Sequence, residues 1–221
     1  QLHRRQRQMC IRDRITKEAS LKIAKSAFEI AKSRSVNKSI KSKIHAVHKA
    51  NVMKITDGIF LDACRLISSK YNDVDYEEML VDACAAHLVR KPDQFDVIVT
   101  TNMFGDILSD LATELSGSLG LAGSLNAGNN HAMAQAQHGA APDIADKNIA
   151  NPISLILSSA MLLDWLGKNR EIDKLILASN LINDSVLELL KDRENFTRDL
   201  GGNASTSKIT ENLIKILNKI I

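Results

Sequence analysis

The sequence predicts an α/β fold, and three observations carry that prediction. Residues 95–99 read FDVIV and place Phe95, Val97 and Val99 in an apolar, β-branched run that suits a buried strand. Gly105 interrupts that pattern, and from Asp106 onward the apolar positions recur at helical spacing. A second short apolar run, Ile44–His48, lies between two stretches of helical periodicity.

Taken in order, residues 1–14 (QLHRRQRQMCIRDR) carry five arginines and no apolar periodicity. They lack the Ser-rich, acid-free pattern of a transit peptide and are expected to be a foreign leader. Thr16 begins a helix whose apolar face is expected to comprise Leu21, Ile23, Ala24, Ala27, Phe28 and Ile30. The polar, basic run Ser33–Lys43 reads as an exposed connection. Ile44–His48 reads as a strand, Thr56 and Asp57 open the next helix, and Tyr76–Arg90 reads as another, ended by Lys91-Pro92. Residues 124–150 are rich in Gly, Ala and Asn with little regular pattern, and a long irregular stretch inside a compact domain usually serves function. Asn151-Pro152 starts a strongly apolar helix expected to reach Leu166 and to close at Gly167. Ile172–Leu190 and Glu211–Ile221 read as amphipathic helices, with a turn at Asp199-Leu200-Gly201-Gly202 between them.

A chain of 221 residues, 44% of them hydrophobic, can bury one or two cores. The net charge of +3 is small and the basic residues form no aromatic-laced patch, so a nucleic-acid partner is not indicated. Cys10, Cys64 and Cys84 are an odd count without CxxC spacing, which fits a reduced interior better than a disulfide framework. The longest apolar segment, Ile153–Leu163, is too short and too serine-punctuated to cross a bilayer. An intracellular, soluble chain is expected. His45, His48, His87 and His131 show no ligand spacing with cysteines, and no metal is assigned to them. Met133 and the other methionines read as core filler, and Trp165 as a packing residue.

Some residues could carry chemistry. Asp106 and Asp110, four apart, share one face of a helix. Their repulsion becomes binding if a hard divalent cation sits there, and the alternative is a solvated acidic helix start. Lys49 and Asn51 lie in VHKANVMKITDGIF directly after a strand, where polar side chains can face a cleft. By itself such a lysine reads as solvated or structural. Asp82, in YEEMLVDACAAHL, reads as a helix-surface acid, and His138 as a buried, hydrogen-bonded loop histidine. GSLGLAG at 117–123 has the wrong glycine spacing for a Rossmann fingerprint.

GDILSD at 105–110, the preceding TTNMF and the following GSLGL resemble the metal site of the β-decarboxylating dehydrogenases, a family that includes isocitrate, homoisocitrate, 3-isopropylmalate and tartrate dehydrogenases. The resemblance extends from about Ile15 to the C-terminus. It implies the isocitrate/isopropylmalate dehydrogenase-like α/β fold in incomplete form, a non-Rossmann mixed sheet with flanking helices. Residues 15–117 would form the smaller, dimer-forming domain with the metal site, and 118–221 the C-terminal part of the larger, cofactor-side domain. VHKANVMKITDGIF resembles the catalytic-lysine motif, which makes Lys49 the base that helps remove the substrate hydroxyl proton. The metal, Mg²⁺ or Mn²⁺, would take Asp82, Asp106 and Asp110. Asp82 and Lys49 would come from the partner across a two-fold homodimer interface.

The segment HGAAPDIADKNIANP resembles the family's cofactor loop, which assigns NAD to His138, Gly139, Ala140, Ala141, Pro142, Asp143, Ile144 and Asn151, together with Asn51. Asp143 can accept hydrogen bonds from both ribose hydroxyls and would repel a 2′-phosphate. NADP-using relatives carry Lys-Tyr where this chain has Asp143-Ile144. The implied reaction is oxidative decarboxylation of a 2-hydroxy acid. His48 before Lys49, with Met53-Lys54 after it, resembles the isocitrate and homoisocitrate branch, whereas FGDILSD and GSLGL fit 3-isopropylmalate enzymes equally well. Isocitrate is the expected substrate, with 3-isopropylmalate or homoisocitrate the alternatives, in the cytoplasm or, in a eukaryote, the mitochondrial matrix. A non-catalytic dimerisation or regulatory subunit is the reading from another class. Family members are longer on the N-terminal side, where the substrate-gripping arginines and serine and the proton-donating tyrosine lie. The chain alone is therefore expected to be inactive, with unpartnered apolar faces on the helix 153–166.

Overall fold

The computed structural model describes residues 14–35 and 41–220. All but the last residue of the expected leader lies outside them. The chain divides into two compact units, one ending at Ala112 and the other beginning at Thr113. The boundary expected from the sequence, after Gly117, lies slightly later.

In the first unit, the Thr16 hydroxyl accepts the Ala19 N–H at 3.1 Å and opens helix α1, Lys17–Ser35. Its buried stripe is Ala24, Ala27, Phe28 and Ala31. Ile23 and Ile30, expected on that face, are each 48% exposed because the seven-residue step between them follows a neighbouring stripe of the helix. Strand β1, Lys43–His48, is the centre of a three-stranded parallel sheet in the order β2-β1-β3, with β2 at Asp75–Leu80 and β3 at Val97–Thr100. Residues 76–90 are therefore not one helix. Asp75–Leu80 pairs residue by residue with β1, from Lys43↔Asp75 to His48↔Leu80, and helix α3 begins only at Val81 and ends at Arg90. The ladder to β1 overrides the helical propensity of Glu77, Glu78 and Met79. One face of the sheet buries Ile44, Ala46, Val97 and Val99 with Phe28 of α1 and with Phe60 and Cys64 of helix α2, Thr56–Ser68. The other face buries Val47 with Cys84, Leu88 and Leu108. Burial pushes the Cys64 thiol up to about 12 and the Cys84 thiol to about 11, so both are inert packing residues. Helix α4, Asn102–Leu115, starts one turn before the expected point and contains Gly105. The helix runs on through Gly105, where a Cβ would meet the Thr100 methyl at 3.4 Å.

The second unit opens with the expected irregular stretch, but much of it is a β-hairpin. Strand β4, Gly123–Ala127, pairs antiparallel with β5, Ala132–Ala136, and the Gly128 N–H donates to the His131 carbonyl at 2.8 Å to close the turn. The hairpin lies on helix α5, Ile153–Arg170, whose serines hold it. Ser158 Oγ donates to the Gln135 carbonyl at 2.8 Å and accepts the Ser124 N–H at 3.0 Å, while Ser154 Oγ donates to the Ala122 carbonyl. At Gly123 a Cβ would stand 3.2 Å from the α5 backbone, so the strand can approach that closely only without a side chain. α5 continues past Gly167, which packs against Ile176, and ends at the left-handed Glu171. Helices α6, Asp173–Leu189, and α7, Thr206–Ile220, complete a core of Ile153, Val186, Leu189, Ala204, Ile209 and Leu213. The apolar helix is thus largely partnered, with Leu155 and Met161 left exposed. Trp165 is half-buried on α5, and Met133 is 55% exposed, a hairpin side chain and not core filler. No helix among the described residues is long and apolar enough to cross a membrane.

Candidate active site

All three parallel strands of the first unit end on the same edge of the sheet, and the candidate residues follow those ends. Lys49 is the first residue after β1, Asp82 the second after β2, and α4 starts two residues after β3. The outside of the carboxyl ends of strands is where open α/β sheets place their ligands. The His48↔Leu80 register sets Lys49 beside the start of α3, and Lys49 Nζ lies 2.5 Å from Asp82 Oδ1. That charge-assisted hydrogen bond holds the exposed Asp82 carboxyl below the usual carboxylate range. Asp106 and Asp110 are exposed on successive turns of α4, and Asn51 and Lys54 are exposed in the turn between β1 and α2. Among the described residues, no group of three or more His, Cys, Asp or Glu of the chain could hold a metal ion. Asp82 and the α4 pair therefore do not assemble a metal site within one chain.

The backbone on both sides of Lys49 is fixed. Its N–H donates to Asp57 Oδ2 at 2.6 Å, its carbonyl accepts the Val52 and Met53 N–H groups, and the Ala50 N–H donates to His48 Nδ1 at 3.1 Å. Burial lowers the His48 imidazole, with Glu78 and Asp57 opposing that shift. Asp57 is fully buried and was not singled out by sequence, because an aspartate in the first turn of a helix reads as a cap. Its partner stands eight residues upstream, and only the tertiary turn brings the two together.

In the second unit, His138, Gly139, Ala140, Ala141, Pro142 and Asp143 are all exposed and Ile144 is half-buried. His138 is thus not a buried loop histidine, and its Nδ1 lies 3.0 Å from the Gly139 carbonyl. Ala141 is left-handed at φ 45°, and a single 3₁₀ turn over Pro142–Ile144 follows. Lys147 Nζ donates to the Asp143 carbonyl at 2.7 Å, leaving the Asp143 carboxylate outward. Asn151 differs: its amide is committed at both ends. Nδ2 donates to Asp199 Oδ2 at 2.9 Å, and Oδ1 accepts the Ile153 N–H at 3.0 Å. Asp199 also accepts from Ser118 Oγ at 2.5 Å. Burial pushes the Asp199 carboxyl up, but its hydrogen-bond donors, Ser118 and Asn151 among them, outweigh that and leave it below the usual range. This network ties the GSLGL turn to the end of the 138–151 loop, and the Asp199 turn motif gave no sign of it in sequence.

Residues 4–213 match the family described as isocitrate/isopropylmalate dehydrogenase. The match opens at Arg4, within the stretch set apart as a leader. Over 206 residues the chain is 45% identical to a 3-isopropylmalate dehydrogenase from Sulfurisphaera tokodaii, covering 93% of this chain and 58% of that protein. It is 45% identical over 202 residues to a mitochondrial regulatory subunit of NAD isocitrate dehydrogenase from Dictyostelium discoideum, covering 91% of this chain and 54% of that one. Among solved structures, isocitrate dehydrogenase from Methylococcus capsulatus superposes with a TM-score of 0.81 at 40% identity, over 92% of this chain and 57% of that chain. The chain belongs to the isocitrate/isopropylmalate dehydrogenase family and has its α/β fold. It spans a little over half the length of these relatives.

Proposed function

We propose that the protein to which this chain belongs oxidises and decarboxylates a 2-hydroxy acid with NAD⁺ and Mg²⁺ or Mn²⁺. The observation that carries the proposal is the Lys49–Asp82 pair on the sheet edge that also leads into Asp106 and Asp110. The aspartates suit a hard divalent cation by donor chemistry, being exposed carboxylates that can still take up ligands. Since one chain does not bring them together, Asp106 and Asp110 of one protomer would meet Asp82 and Lys49 of its two-fold partner. A cation held by these aspartates would supply Lewis-acid polarisation of the hydroxyl and then of the ketone oxygen. Lys49 Nζ, oriented by Asp82, takes the hydroxyl proton as hydride passes from the same carbon to NAD⁺. The bond to the β-carboxylate then breaks, CO₂ leaves, and the electron pair left on carbon is later protonated, giving a 2-oxo acid and NADH. Asp143, on the open 138–144 segment, would accept from the adenosine ribose hydroxyls. Asn51 is the remaining cofactor contact. Asn151, held by its bonds to Asp199 and Ile153, keeps a second amide N–H and a second lone pair with which to meet the cofactor.

Isocitrate is the substrate we favour, on His48 and Met53-Lys54, and 3-isopropylmalate is the alternative. The kinship to a regulatory subunit favours a second reading, in which the protein is a non-catalytic subunit. Against it stand Lys49 and all three aspartates, which such a subunit has no need to keep. The test is an NAD⁺-reduction assay with Mg²⁺ on the full-length protein and on this chain, with each acid in turn. Turnover of isocitrate by the full-length protein supports the proposal, and turnover of 3-isopropylmalate alone moves the substrate. Binding of neither NAD⁺ nor Mg²⁺ overturns the enzyme reading in favour of the non-catalytic one.

A further inference from the structure

We infer that Asp57 is the positioning residue for Lys49. The inference rests on the reading of Lys49 as the base. Asp57 has no exposure at all, yet it is an acid whose close partner is one backbone group, the Lys49 N–H at 2.6 Å. Among the described residues, its other oxygen meets the Thr56 hydroxyl at 3.5 Å. A buried carboxylate is costly to keep, and helix capping does not explain this one, since it turns away from its own helix toward the strand end. The N-terminus of α2, where the side chain sits, favours an acidic group and offsets part of that cost. The result is a clamp of nine residues. The Met53 N–H donates to the Lys49 carbonyl at 2.8 Å, the Asp57 N–H donates to the Met53 carbonyl at 3.0 Å, and the Asp57 side chain closes the ring on the Lys49 N–H. With its backbone held from both sides, Lys49 extends Nζ to Asp82 from a fixed starting point.

A merely structural aspartate would close the 49–57 turn without regard to where the amine points. Two readouts separate the possibilities. The first is the reactivity of Lys49 in this chain, measured as its acetic anhydride labelling rate by mass spectrometry with the exposed Lys54 as internal reference. The second is turnover in the full-length protein. Asp57→Ala is expected to raise Lys49 labelling toward that of Lys54 and to lower kcat about 10- to 100-fold, with the KM values for acid and NAD⁺ within about 3-fold. Asp57→Asn keeps an oxygen that accepts the Lys49 N–H, so it is expected to hold labelling near wild type and recover kcat to within about 5-fold. Unchanged labelling and kcat in Asp57→Ala overturn the inference, and so does an Asp57→Asn protein as impaired as Asp57→Ala. Lys49→Met isolates the underlying reading. If that variant turns over normally, Lys49 is not the base, while the labelling experiment still decides whether Asp57 aims it.

Discussion

Lys49 has its N–H on a buried carboxylate and its Nζ on Asp82, whereas the side chains from His138 to Asp143 stand exposed on a backbone tied mainly beyond its ends. The loop is moored by Gln137, whose N–H reaches Ser154 Oγ at 3.4 Å, and by Asn148, which accepts from the Ser207 N–H at 3.1 Å and Oγ at 3.0 Å. Between those moorings Ala141 sits in the left-handed region, at a cost of about 1–2 kcal/mol for a residue with a Cβ. Asp146 and Asn148 are left-handed too, but their side chains tolerate it. The difference follows from what each region is proposed to do. Proton transfer fails if the amine drifts by an ångström, so its carrier is clamped. A nucleotide gripped through backbone needs chain that nothing else covers.

The largest effect is expected from Lys49→Met. If the clamp exists to serve proton transfer, kcat in the full-length protein falls by about 10²- to 10⁴-fold. NAD⁺ affinity, measured by calorimetry, stays within about 3-fold, because Lys49 is not among the residues assigned to the cofactor. A loss of NAD⁺ binding with little change in kcat would reverse the two assignments.

The second prediction concerns the glycine that anchors the loop's far end. At Gly120 a Cβ would stand 2.6 Å from Asp199 Oδ2 and 2.8 Å from Asn151 Nδ2. The Ser118–Asp199–Asn151 network cannot admit a methyl without opening. Gly120→Ala is therefore expected to lower the unfolding free energy by about 1–3 kcal/mol, read as a shift in urea midpoint. An unchanged midpoint would mean that the network yields freely and anchors nothing.

Strand-to-helix order could be read from periodicity wherever apolar spacing was regular: β1, β3, α1, α2 and the three C-terminal helices. Three strands escaped. Glu77, Glu78 and Met79 favour helix locally, and only pairing with β1 makes them a strand. The hairpin is built from Ala, Asn and Gln, which have low strand propensity, and its hold comes from Ser154 and Ser158 on a helix that begins well downstream. The candidate site divides the same way. Lys49 and the aspartates of α4 became candidates because compact motifs next to strand ends carry the family resemblance. Asp57 and Asp199 were not, since what each does depends on a partner brought near by the fold.

A smaller effect tests how firmly the first unit's sheet is built. His45, in the central strand, is fully buried with both ring nitrogens unpartnered, its ring edge-on to Phe95 at 4.7 Å and its Nε2 3.8 Å from Glu77. Burial lowers its imidazole below the ordinary 6.5, Lys43 and His87 add to that, and Glu77 opposes it. Below pH 6.5 the unfolded chain binds a proton that folded His45 refuses, so stability falls as pH drops through that window to the depressed folded value. The urea midpoint should be lower at about pH 5.5 than at about pH 7.5, and the drop should shrink in His45→Leu. A pH dependence equal in both proteins would assign the effect elsewhere, with His48 the next group to test.

The smallest expected change in stability comes from the counterpart of Gly120 in the open loop. At Gly139 nothing lies within 4 Å of a built Cβ, and its φ is not positive, so neither packing nor conformation demands glycine. Gly139→Ala should leave the urea midpoint within about 0.5 kcal/mol of wild type. If backbone exposed there is what receives the nucleotide, the added methyl occupies the approach, and NAD⁺ affinity in the full-length protein falls about 10-fold with kcat at saturation unchanged. Equal affinity in Gly139→Ala would move the cofactor grip away from His138-Gly139 and onto Asp143 and the residues after it. A glycine kept for ligand access and one kept for packing would then be told apart by the pair of substitutions: Gly120→Ala lowers stability, and Gly139→Ala lowers affinity alone.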